Sequence, residues 1–160
     1  MIKNSLLRSL LLFSLMALLF SCSSDDDSGS ADITIWSGPT MTFSKADGAD
    51  PTLQANQDRI SDLVWITRNN EEGGQIYNAV TETISDKDDS PQGTSWAVGT
   101  TADIDNLDFR PFRAAVGTPQ EIVGQDLVLL LDEENIAIDI RITNWSSGKQ
   151  GGFAYERSTP

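Results

Sequence analysis

NIAIDIRIT, residues 135–143, decides the fold. Ile136, Ile138, Ile140 and Ile142 alternate with Ala137, Asp139, Arg141 and Thr143. Successive side chains of an extended chain point to opposite faces, so this period of two gathers four isoleucines on one face. A half-buried strand is the expected result. Just upstream, LVLLL at residues 127–131 reads as a more deeply buried strand, with Asp132, Glu133, Glu134 and Asn135 as the turn between them.

The same pattern continues outward in weaker form. Ile33 and Ile35, then Met41 and Phe43, alternate on either side of Ser37-Gly38-Pro39, which predicts a hairpin-like connection. Residues 63–67, 75–81, 94–98, 112–116 and 152–156 are further short strand candidates. Gly73-Gly74, Pro91, Pro111, Pro119 and Gly151-Gly152 punctuate the intervals. Only residues 51–60 suit a helical turn or two, with Asp50 as cap and Pro51 in the first position. Many short strands separated by turn signals predict an all-β fold: a single-domain antiparallel β-sandwich, jelly-roll-like, over residues 32–160. ITIWSG (33–38) and ITNWSSG (142–148) echo one another, but no fixed period links them, so the chain is not a repeat array.

The N-terminal segment has a different composition. Residues 1–9 carry Lys3 and Arg8 and no acid, and residues 10–20 are apolar except for Ser14. That is the pattern of a secretory signal peptide, and the run is shorter than the roughly 20 apolar residues a spanning helix needs. It ends Leu19-Phe20-Ser21-Cys22, at the one cysteine of the chain. The stretch resembles the lipobox of bacterial lipoproteins. The resemblance implies cleavage after residue 21, lipid on the Cys22 sulfur and acylation (palmitate among the chains) of the new amine. Residues 22–31 then form the lipidated cysteine and an acidic Ser/Asp linker, solvated by composition. Ser23, Ser24, Asp25, Asp26 and Asp27 resemble the acidic export signal of Bacteroidetes-type surface lipoproteins. The expected location is the outer membrane, on its outer face, with the periplasmic face as the alternative. Several acyl chains hold a protein stably where one does not.

Removing residues 1–21 takes away two cations and no acid, so the net charge moves from −13 to −15. So acidic a chain repels phosphate backbones, and nucleic acid is not an expected partner. Four stretches, NQDRI (56–60), VWITR (64–68), WAVGT (96–100) and GGFAYERSTP (151–160), resemble signatures of an uncharacterised family of secreted bacterial β-rich modules. The resemblance implies an extracytoplasmic module and lends no catalytic residue.

The chain has no histidine, which removes Ser-His-Asp and Cys-His catalysis, His general bases and His-ligated zinc. With Cys22 committed to lipid, thiol catalysis and disulfides go as well. Gly148-Lys149-Gln150 lacks the hydroxyl residue of a phosphate-binding loop. Carboxylates, oxygen-ligated metals and aromatic surfaces remain. Asp86, Asp88 and Asp89 lie in one loop and Asp103, Asp105 and Asp108 in another; these are the candidates for Ca²⁺, the one cofactor the composition leaves open. Trp36, Trp65, Trp96 and Trp145 are many for this length. Most tryptophans of a small β domain fill the core, and Trp36 and Trp145, beside Gly-containing turns, are the candidates for an exposed ligand-binding indole. Two functions survive. One is a non-catalytic surface module that binds a glycan, a matrix ligand or another surface protein, or that serves as a scaffold in a larger assembly. The other is a small hydrolase working through a carboxylate pair.

Overall fold

In the computed structural model the strand expected over residues 135–143 is the longest element. The structure describes residues 32–71 and 74–160; the expected leader (residues 1–21), Cys22 and Ser23 to Asp27 lie outside them. The strands are β1 (Thr34–Trp36), β2 (Met41–Lys45), β3 (Asp58–Arg59), β4 (Trp65–Arg68), β5 (Ile76–Asn78), β6 (Thr94–Val98), β7 (Asp126–Leu131), β8 (Ile136–Trp145) and β9 (Phe153–Arg157). A larger sheet runs in the order β2-β9-β8-β7-β6, with β1 also on β8, and a smaller one in the order β3-β4-β5. The unit Ala31–Pro160 is one compact body, and the all-β, single-domain expectation holds. All pairs are antiparallel except β1 with β8, which is parallel.

β8 carries the core as its alternation predicts. Ile138, Ile140 and Ile142 are buried beside Leu127, Leu129 and Leu131 of β7. Each aliphatic side chain removed from water in this way contributes about 1.5–3 kcal/mol. Ile66 and Ile76 of the small sheet join the same cluster, as do Phe112, Val116 and Ile122.

A polar interlock also joins the two sheets. Asp58 on β3 accepts hydrogen bonds from Tyr155 Oη at 2.7 Å and from Arg157 Nε at 2.7 Å and Nη2 at 3.0 Å. Arg68 on β4 is fully buried and donates to the carbonyls of Gly74, Gly152 and, at 2.8 Å, Ser146. Burial lowers its guanidinium pKa to about 10. Beside it Lys45 donates to Asn70 Oδ1 at 2.6 Å and to the Gly151 carbonyl at 3.0 Å. Glycine suits position 151, where φ is +73° and a Cβ would meet the Asn70 side chain, and at 152 a Cβ would meet the exposed Asp47 side chain. NQDRI, VWITR and GGFAYERSTP thus supply the two ends of this interlock: Asp58 and Arg68 from one sheet, Gly152, Tyr155 and Arg157 from the other. Those stretches carry architecture.

Three expectations change. Residues 112–116 form a short helix, α1 (Phe112–Val116), with Pro111 at its N-cap and Gly117 after it. Its Phe112 plugs the core 5.0 Å from the Trp96 ring. The segment 51–60 holds its helical turn only as a short 3-10 turn, Gln54–Asn56, followed by β3, although Asp50 does accept from the Thr52 backbone at 2.8 Å. The Ser37-Gly38-Pro39 stretch does not close a hairpin. β1 runs parallel to β8, and β2 runs antiparallel to β9, which is itself antiparallel to β8. The chain therefore keeps its direction from β1 to β2 and steps sideways around the end of β9. Gly38 makes that passage possible: its N–H donates to the Thr159 carbonyl at 2.9 Å, and a Cβ there would lie 2.8 Å from that same oxygen.

Candidate functional site

The step from β1 to β2 sets up the candidate site. One edge of β8 is shared end to end: β1 pairs with residues 136–138 and β9 with residues 140–145. Between them, at Asp139, the edge changes partner. A cleft of about 470 Å³ opens over this junction. Trp36, Ser37, Gly38 and Thr40, from the end of β1 and the crossing, line it, as does Thr100.

The cleft's charged residues follow from register. Asp126 on β7, Arg141 on β8 and Glu156 on β9 are direct cross-strand neighbours in one row, and Thr42 on β2 extends it. Opposite charges in neighbouring positions support a sheet face by a few tenths of a kcal/mol, about 0.2–1 per pair. Arg141 Nε donates to Asp126 Oδ1 at 2.8 Å, leaving Glu156 exposed and without a hydrogen-bond or ion-pair partner among the described residues. Two residues back along β8, both oxygens of Asp139 are engaged by Thr101: its N–H on Oδ1 at 2.7 Å, its hydroxyl on Oδ2 at 2.7 Å. Arg157 also borders the cleft, but its guanidinium is held by Asp58. Burial works to lower the Arg157 pKa, and the hydrogen bonds and charge of Asp58 outweigh it, so the net direction is up.

The predicted indoles separate. Trp36 is half-buried at the end of β1, packs on the core and lines the cleft. Trp145 is 7% exposed, which corrects the expectation that it faces a ligand. Its ring is stacked on Phe112 at 5.8 Å and covered by the Arg68 guanidinium at 4.0 Å. The physical reason is a bulge. The β8–β9 register shifts between Ile142 and Asn144, so the even-numbered core face of β8 becomes odd-numbered, and Trp145 turns inward opposite Phe153. Trp96 is buried, and Trp65 is half-buried under Arg59 at 3.9 Å.

The residues of the two aspartate clusters do not line the cleft. Asp86 spends Oδ1 on the Asp88 N–H at 2.7 Å, Asp89 is exposed, and Asp103 and Asp105 sit in the 3-10 segment Thr101–Asn106. Asp108 pairs with Arg110. Among the described residues no three His, Cys, Asp or Glu side chains gather as a metal site would require.

Sequence reasoning did not single out Asp126, Asp139 or Glu156. Each reads alone as a solvated outward position, and only the register of three strands brings them together. A scan against protein-family models, a search of curated proteins and a search of solved structures each return no match.

Proposed function

We propose that this chain is an outer-membrane lipoprotein, anchored through Cys22 and displayed on the cell surface by Ser23, Ser24, Asp25, Asp26 and Asp27, whose β domain is a non-catalytic module that binds glycan. One observation carries the binding part: Trp36, a half-buried indole, borders a cleft whose polar groups include hydroxyls, three carboxylates and the Arg141 guanidinium. An indole face stacks on the apolar face of a pyranose while such polar groups meet its hydroxyls.

The hydrolase reading is weaker in this cleft. A glycosidase needs two carboxylates free to act as acid and as base or nucleophile. Asp126 is committed to Arg141 and Asp139 to Thr101, which leaves Glu156 alone.

The address is tested by fractionation and protease shaving of intact cells. The unaltered chain partitions with the outer membrane and is shaved, whereas Cys22→Ala no longer partitions as a cleaved lipoprotein. Replacing Asp25, Asp26 and Asp27 by Ala keeps the anchor and abolishes shaving. An unaltered chain that resists shaving in the outer membrane places it on the periplasmic face. Binding is tested on a glycan array with the full chain and with Trp36→Ala, where hits are expected from the first only.

A further inference from the structure

The balance of charge in the Trp36 cleft names the kind of glycan. Three carboxylates (Asp126, Asp139 and Glu156) border it against the Arg141 guanidinium, so two negative charges remain uncompensated. That guanidinium is already bound by Asp126. Among the described residues the one other cation at the border, Arg157, is neutralised by Asp58 in a buried pair. The carboxylates also differ in availability. Asp139 holds Thr101 through both oxygens, while Glu156 is exposed and has no partner among the described residues.

We infer that the cleft selects saccharides bearing a positive charge, namely amino sugars with a free amine, with Glu156 as the carboxylate that takes the ammonium and Trp36 as the stacking surface. The inference rests on the glycan-binding reading above. An ammonium placed in a concave, partly apolar site meets a focused negative potential, and a charge-assisted hydrogen bond to an unengaged carboxylate is stronger than one between neutral groups. N-acetylation removes that charge and leaves Glu156 to be desolvated without a partner. A uronate or sulfated sugar fares worse, because it meets like charge and finds the one guanidinium already occupied.

The test uses the full chain in detergent, titrated with a β-linked glucosamine oligosaccharide, its N-acetylated counterpart and an oligouronate of equal length. Binding is read by indole emission and calorimetry at two ionic strengths. The expected preference for the free amine over the N-acetyl form is about tenfold or more at low salt, shrinking as salt screens the pair. Glu156→Gln abolishes the preference, while Glu133→Gln, a control of equal charge change at the 132–135 turn, retains it. Equal affinity for the amine and N-acetyl forms overturns the amine selectivity while leaving glycan binding intact. A preference that Glu133→Gln reduces as much as Glu156→Gln assigns it to bulk charge and also overturns the selectivity. Binding of none of the three sugars removes the glycan reading and the selectivity with it.

Discussion

Asp58 on β3 and Arg157 on β9 form a two-pronged ion pair between the sheets, both residues about 5% exposed. Nothing else in the protein ties strands so distant in sequence through charge at this depth among the described residues. A buried pair of this kind is costly to break from one side, because the remaining ion stays in a place where it was affordable only with its partner. Asp58→Asn keeps the shape and strands the Arg157 charge. A loss of about 3–5 kcal/mol is expected, seen as a lower urea midpoint at unchanged slope. A midpoint within experimental error of the parent contradicts the interlock.

Tyr155 shares the same acceptor, and its behaviour in alkali follows. Burial, then the Asp58 charge, pushes the Tyr155 phenol well above its ordinary pKa near 10. The folded state therefore keeps a proton that the unfolded chain releases above about pH 10. This contribution to stability is complete below that value and declines as pH rises beyond it. Tyr155→Phe lacks the titrating group but also the hydrogen bond to Asp58, so it is less stable at pH 7 by about 1.5–3 kcal/mol. The gap to the parent should narrow as pH rises above about 10. Lys45 and Arg68, also shifted by burial, are common to both proteins and cancel in the difference. A gap constant with pH contradicts this assignment.

Gly38 should tolerate no side chain. Gly38→Ala drives a Cβ against the backbone oxygens of Thr159 and Pro160, which cannot swing away as a side-chain tip would. The overpacking cost is about 1–3 kcal/mol. Hydrogen exchange should show the loss concentrated at β1 and the end of β9, the strands this crossing separates. A neutral substitution would mean that the chain does not pass so closely around β9.

How far this architecture was legible depended on where each element's signal lies. β8 announced itself because four isoleucines at period two have no other reading. β7 was legible from apolarity alone. The FRAAV helix was misread as a strand, since five residues are too few for a helical period, although Pro111 before it and Gly117 after it marked the boundaries. Trp145 was misplaced for a subtler reason. Alternation locates a side chain only while the register is unbroken, and the bulge between Ile142 and Asn144 inverts inside and outside within two residues. Trp36 was legible as a candidate because it precedes a Gly turn. Its cleft was not, because Asp126, Arg141 and Glu156 meet only through pairings between three strands.

The central claim, that Trp36 presents the ligand-binding surface, is tested most directly by oxidising the full chain with N-bromosuccinimide and mapping the modified indoles, with and without an oligosaccharide that binds on the array. Trp36 is expected to be oxidised readily in the free protein and protected when the sugar is bound. Trp96 and Trp145 stay unmodified in both states, and Trp65, under Arg59, gains no protection from sugar. Oxidation of Trp36 at the same rate with and without bound sugar would contradict the account.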